Sequence, residues 1–149
     1  MYSRILVPTD GSEFSDKAAK EAAKLAKELG SKLILFHAVP PYQLPPLTEG
    51  FSAPNRLAQK EEGKEEREAE AKQILAYAAR NVNPAEVTAE QQFMVSNSPY
   101  DAIIKAAKKF ECELIIMASH GRRGISGVLL GSETQKVLTH STIPVLVVR

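Results

Sequence analysis

Five short apolar runs limit how this chain can fold. Ser3–Pro8, Leu33–Val39, Val87–Val95, Glu113–Ala118 and Ile143–Val148 are strand-length, and most are apolar at successive positions rather than at every second one. Continuous runs of this kind mark strands covered on both faces, the condition of a parallel sheet with helices above and below it. The period changes between them. After the first run, DGSEFSDKAAKEAAKLAKELG places Phe14, Ala18, Ala22, Leu25, Ala26 and Leu29 along one side of a helix and Lys20, Lys24 and Lys27 on the wet side. Ser12 or Ser15 suits its start and Gly30 its stop. A second helix is expected from about Asn55 to Arg80. A third opens at NSPYD, with Ser98 as cap, Pro99 in the first turn and Ile103, Ile104, Ala107 and Phe110 as its core stripe. A fourth runs from Gly131 to Thr139. Strand alternates with helix throughout, which predicts an α/β, doubly wound sandwich.

The remaining segments fit that frame. Val87–Val95 is the most polar run and belongs at a sheet edge. PPYQLPP and EGFSAPN, after the second strand, read as a proline-rich loop without regular structure. The charge-dense KEEGKEEREAEAK is compatible with a partner-binding surface, and more simply with a solvated helix face carrying i,i+4 pairs.

A length of 149 residues suffices for one unassisted core, and a single domain over 1–149 is expected. The formal charge of +1 offers no basic face for nucleic acid. The lone Cys112 has no intrachain disulfide partner or companion thiolate for a metal, and reads as a small buried hydrophobe. MYSRILVPTD lacks the basic-then-apolar pattern of a leader, and no run approaches the roughly 18 apolar residues of a membrane span. A cytoplasmic address and no membrane partner are the expectations.

Chemistry concentrates after the fourth run. Half of the chain's eight glycines, Gly121, Gly124, Gly127 and Gly131, fall within LIIMASHGRRGISGVLLGSETQKVLT, between an apolar strand and a helix opening. Glycine permits positive φ and close backbone approach, while the N–H groups of Gly131, Ser132, Glu133 and Thr134 would stand at the positive end of a helix. That pairing makes a phosphate cradle. It is neither the GxxxxGK[ST] of a P-loop nor a GxGxxG after the first strand.

This loop resembles that of the universal stress protein family, whose nucleotide-binding members carry G-x2-G-x9-G-[ST] after the fourth strand. Here the register reads Ala118-x2-Gly121-x9-Gly131-Ser132, with alanine in place of the first glycine. ILVPTDGSE at Ile5–Glu13, LILFHAV at Leu33–Val39 and IPVLVVR at Ile143–Arg149 also look like family segments, so the resemblance covers the whole chain. It implies a five-stranded parallel sheet in the order 3-2-1-4-5, adenine nucleotide alpha hydrolase-like. The topological switch then lies between strands one and four, where ligands of such sheets bind.

The resemblance also implies a site for ATP or a related adenine nucleotide (AMP or ADP), with any Mg²⁺ carried by the nucleotide. Pro8, Thr9 and Asp10 would line the nucleoside side, Asp10 accepting from ribose hydroxyls or from a water on a metal. Helix capping, with the Asp10 carboxylate accepting from Ser12 or Glu13 N–H, is the alternative. Val39 would receive the adenine, and Met117 and Ala118 would contact the adenosine. Gly121, Gly131, Ser132 and Thr134 would surround the phosphates, with His120 and Glu133 in the same set and Arg122 and Arg123 able to fold over a triphosphate. Ser132 could instead cap the last helix. An alanine at 118 adds one methyl group, costly only if φ is positive there, by about 1 kcal/mol.

Catalytic readings are weaker. His37, His120 and His140 lack HExxH or triad context, and Ser119 beside His120 lacks the GxSxG elbow. Phosphoryl transfer needs a charge-stabilising lysine and Mg²⁺ carboxylates, for which Asp10 is the one candidate, so any ATP hydrolysis is expected to be slow. A receiver domain would use Asp10 but also an acidic pair and a lysine after the fifth strand, which this sequence does not supply. The expectation is a regulatory, nucleotide-binding homodimer paired through Val145 to Val148, an apolar edge strand. The alternatives are a nucleotide-free dimeric interaction module and a slow ATPase.

Overall fold

Strands and helices alternate in the computed structural model, which describes residues 1–46, 53–121 and 130–149. The order is β1 (Arg4–Pro8), α1 (Glu13–Leu29), β2 (Lys32–Val39), α2 (Ala53–Ala79), β3 (Ala89–Val95), α3 (Pro99–Lys109), β4 (Leu114–Ala118), α4 (Ser132–His140) and β5 (Val145–Val148). The five strands form one sheet, β3-β2-β1-β4-β5, with every pairing parallel. β3 and β5 are its edges, the polar β3 run among them as expected.

Two cores flank the sheet. Alternation along β1 sends Ile5 and Val7 to the side of α1 and α2, and Leu6 to the side of α3 and α4. The expected α1 stripe holds in part: Ala18, Ala22 and Ala26 are buried, joined by Ser15, Ala19 and Ala23, while Phe14 and Leu29 are each 45% exposed. A face of small side chains lets the helix lie close on the sheet, and the larger residues flank that contact. Ser12 is the N-cap, its hydroxyl accepting from Ser15 N–H, and Gly30 (φ 68°) ends the helix in the left-handed region.

The proline-rich stretch also needs correction, because Ala53, Pro54 and Asn55 open α2 rather than closing the loop. Proline suits a first helical turn, where its missing N–H has no partner to lose. Farther along, Gly63 is buried under the Tyr42 ring, where a Cβ would stand 2.3 Å from the ring carbons. The charged middle of α2 carries the local pairs Lys64–Glu61, Arg67–Glu70 and Lys72–Glu68, as a solvated face does. Ser98 is the α3 N-cap by position, but its side chain makes no capping bond. Cys112 is buried, 5% exposed.

One feature of β1 positions the site. Ile115 and Ser119 send their N–H groups to the β5-side carbonyls of Pro144 and Val148, so even-numbered residues of β4 turn their peptide groups toward β1. The β1–β4 ladder runs only over Ile5–Leu114 and Leu6–Ile115. The next donor on that side of β1 would be residue 8, which is proline and has no N–H. β1 stays paired to β2 through Pro8–Phe36. The sheet therefore opens between β1 and β4 at their carboxyl ends.

Candidate functional site

A cleft of about 760 Å³ occupies that opening. Its lining contains Pro8, Thr9, Asp10, Met117, Ala118, His120, Gly121, Gly131, Ser132, Glu133 and Thr134. The fold thus gathers eleven of the thirteen residues expected from sequence, taken from two strand-to-helix segments over a hundred positions apart. Arg122 lies outside the described residues, as do Arg123, Gly124 and Gly127.

Val39 is the exception within the described residues. It is fully buried and absent from the cleft wall, which Ala38 and Pro40 form on either side of it. The reason is strand parity. Lys32 N–H donates to the Ser3 carbonyl and Thr9 N–H to the Phe36 carbonyl, so even-numbered residues of β2 turn their peptide groups toward β1. Odd-numbered ones turn toward β3, as Leu33 N–H to Thr88 and Ser96 N–H to Val39 show. The backbone edge presented to the cleft therefore belongs to Ala38. Its N–H would next donate to the Thr9 carbonyl, but that bond is not made. The Thr9 carbonyl instead lies 2.7 Å from His37 Nδ1.

The β1 exit is tightly braced. Asp10 Oδ1 accepts from Ser12 N–H at 2.9 Å, so the capping role is realised. Asp10 Oδ2 lies 2.8 Å from where a Cβ on Gly121 would stand. Glycine at 121 leaves room for the carboxylate; its φ is not positive. Thr9 Oγ1 and Ser15 Oγ are 3.1 Å apart beneath the turn.

On the opposite wall, the α4 start is tied to β4. Gly131 N–H donates to the Ser119 carbonyl at 2.6 Å, so it is not among the orphan donors expected from sequence. The groups left at the helix start are the N–H of Ser132, Glu133 and Thr134, since Gln135 N–H already bonds the Gly131 carbonyl. Gly131 has φ −66°, ordinary for any residue, but a Cβ there would meet Ser119 O and His120 Cα at 3.3 Å. Its role is close backbone approach. Thr134 Oγ1 donates to the Ala118 carbonyl at 2.9 Å, filling the acceptor that β1 leaves unpaired beyond Ile115. Ala118 is not in the positive-φ region, so its methyl group carries no backbone strain.

Two expected residues act differently from their simplest reading. Ser132 is the first residue of α4 and Gly131 its N-cap, so the Ser132 hydroxyl does not cap the helix. The Glu133 carboxylate accepts from Tyr100 N–H at 2.8 Å and pairs with Lys136 at 3.3 Å, closing the start of α3. Glu133 therefore offers the cleft its backbone. Ser119 Oγ and His120 Nδ1, adjacent in sequence, do come within 3.0 Å, yet Ser119 does not line the cleft.

The sequence reading missed Phe36, His37, Ala38, Pro40, Asn97, Pro99, Ile103 and Ser15 in the lining. Most lie at the carboxyl ends of β2 and β3 or just beyond, where the strand order itself would direct attention. Asn97 and Pro99 were legible only as a helix opening. The apolar share of the wall, from Phe36, Ile103 and Met117, suits a flat heteroaromatic ring, and the α4 start suits an anion. Among the described residues no group of three or more His, Cys, Asp or Glu could hold a metal.

Comparison with known proteins identifies the family. The model of the universal stress protein family matches residues 1–149. Universal stress protein YxiE of Bacillus subtilis is 33% identical, covering all of both chains. Universal stress protein MJ0577 of Methanocaldococcus jannaschii is 32% identical over all of this chain and 96% of its own. The solved structure of MJ0577 superposes with a TM-score of 0.80 at 28% identity, over 99% of this chain and 96% of that one. A universal stress protein crystallised in complex with cAMP gives 0.69 at 30% identity, over 99% and 97%.

Proposed function

The chain belongs to the universal stress protein family, and from that premise we propose that it binds an adenine nucleotide, ATP, ADP or AMP, in the β1–β4 cleft. The observation that carries this is the pairing of two complementary walls. One presents the Ala38 peptide edge beside Phe36 and Met117; the other presents the free N–H groups at the start of α4. A peptide edge offers a donor and an acceptor to a purine, and a helix start offers donors and partial positive charge to phosphate. Asp10, which lines the same cleft, would accept from ribose hydroxyls or from a water on a nucleotide-borne Mg²⁺. The cAMP complex of a relative supports an adenine ligand. The cleft volume is within the usual range of small-molecule sites.

The output we assign is regulatory rather than catalytic, in a homodimer paired through β5. Leu146 on that edge strand is 45% exposed, and isologous pairing would cover it and satisfy the unpaired backbone. Denaturing the purified protein and chromatographing the supernatant tests the ligand directly, with calorimetric titration of MgATP beside it. Co-purified adenine nucleotide, or a dissociation constant near 1 μM (about −8.2 kcal/mol), is the expected result. No nucleotide released and no heat at millimolar MgATP would overturn the ligand; a single-chain mass by sedimentation would overturn the dimer.

A further inference from the structure

His37 is a buried titratable side chain, 8% exposed, with a polar partner that strand pairing alone would have satisfied otherwise. In a continued β1–β2 ladder the Thr9 carbonyl would accept from Ala38 N–H, as the Thr9 N–H donates to Phe36 one step earlier. The ladder stops instead. The Thr9 carbonyl is bonded by the imidazole of the intervening residue, Nδ1 to O at 2.7 Å, and Ala38 N–H bonds no described residue. A carbonyl oxygen can only accept, so Nδ1 carries the proton; the tautomer follows from the partner.

We infer that His37 is a positioning residue: its side chain takes the Thr9 carbonyl in place of the Ala38 amide, and so keeps that amide available for a ligand in the cleft. The substitution is close to balanced for the carbonyl, which gains one N–H donor for another. Its cost falls on Ala38 N–H, which lies at the half-buried cleft wall where solvent or ligand can meet it. A buried orphan amide would not be tolerated so easily. Thr9 is thereby clamped at both ends by β2, its N–H by the Phe36 carbonyl and its carbonyl by the His37 ring, so the rim next to Asp10 is held rigid without closing the cleft. An apolar residue at 37 removes the competing donor and lets the ladder advance by one bond across the peptide edge that the purine needs. Where the adenine-nucleotide reading is concerned the inference rests on it, but the claim about the ladder stands on the ligand-free protein.

Amide exchange and imidazole NMR on the ligand-free protein test it first. The wild type is expected to show the Nδ1–H tautomer and an Ala38 amide exchanging as fast as a loop. In His37→Leu, which cannot donate, the Ala38 amide should slow by about 100-fold or more as it bonds Thr9; in His37→Asn, whose amide nitrogen sits where Nδ1 does, it should stay fast. MgATP titration should then find His37→Leu weakened by about tenfold and His37→Asn close to wild type. A simple packing role would not give that rescue by asparagine together with a newly protected amide. An Nε2–H tautomer, a slow Ala38 amide in the wild type, a fast one in His37→Leu, or wild-type nucleotide affinity in His37→Leu would each overturn the inference. Should His37→Leu not fold, the wild-type tautomer and exchange rate still decide it. A wild type that shows the expected exchange but binds no nucleotide would refute the proposed function and leave the ladder claim intact.

Discussion

Replacing Thr134 by valine separates hydrogen bonding from packing at the joint that carries α4. Thr134 is 3% exposed, and its Oγ1 donates to the Ala118 carbonyl at 2.9 Å. Valine has the same shape and nearly the same helix propensity, so all carbon contacts survive and only the hydroxyl is lost. The Ala118 carbonyl is then left in a buried position on the side of β4 where pairing with β1 has already ended. An acceptor stranded in this way costs about 1–3 kcal/mol. At about 2 kcal/mol, and 2–4 °C per kcal/mol for a chain of this size, Tm falls by roughly 4–8 °C. Thr134→Ser keeps the hydroxyl and loses one methyl group, for about 0.8 kcal/mol. The order of the two variants is the discriminating quantity: packing alone ranks serine as the worse substitution, and the hydrogen bond ranks valine as the worse. Thermal and urea unfolding monitored by circular dichroism would measure both. A valine variant as stable as wild type, or more stable than the serine variant, would refute the assignment of that bond as the tie between β4 and α4.

The same wall predicts the effect of filling the space at Gly131. Its absent Cβ would stand 3.3 Å from backbone atoms of Ser119 and His120, so Gly131→Val must displace the start of α4 by a few tenths of an ångström or more, and MgATP affinity should drop at least about tenfold by calorimetry; unchanged affinity would show that the helix start is not the anion site. Burial pushes the Cys112 thiol up to about 11, with Arg4 opposing the shift, so at pH 8 only roughly 0.1% is thiolate. A thiol reagent should therefore react far more slowly with the folded chain than with the urea-unfolded one. Because the folded value is the higher one, stability contributed by the protonated thiol is complete below the unfolded value near 9 and is lost as pH rises toward 11; stability that rises over that interval would contradict the burial.

Apolar runs at Leu33–Val39 and Glu113–Ala118 mark doubly covered strands because the pattern repeats between near neighbours in the chain, and the glycine spacing after Ala118 points to Gly121 and Gly131, which line the cleft. A serine cap, Ser12 or Ser15 by sequence and Ser12 in the structure, and Gly30 as the stop are likewise local chemistry. The stripe of α1 was read less well. Phe14 and Leu29 are large apolar residues of the expected face, yet the buried positions are the alanines at 18, 19, 22, 23 and 26, because the distance of approach between helix and sheet is set by both partners.

The site depended more heavily on the tertiary structure. That β2 ends near Val39 is visible in the sequence; that Ala38 rather than Val39 turns its peptide toward the cleft depends on which neighbour each face of β2 meets, and a shift of one residue reverses every such assignment. Pro8 is equally plain as a residue without an N–H, but its consequence, an opening toward β4 and not toward β2, exists only once the strand order is set. For Gly131 the sequence leaves torsional freedom and close approach both open, and the structure selects close approach, since the atoms it must avoid belong to Ser119 and His120, twelve and eleven positions earlier. Period and composition determined the layers of this protein because they act between near neighbours in the chain. The cleft, with its peptide edge and its helix start, was decided by parity, strand order and closeness of approach, which arise only when distant segments are brought side by side.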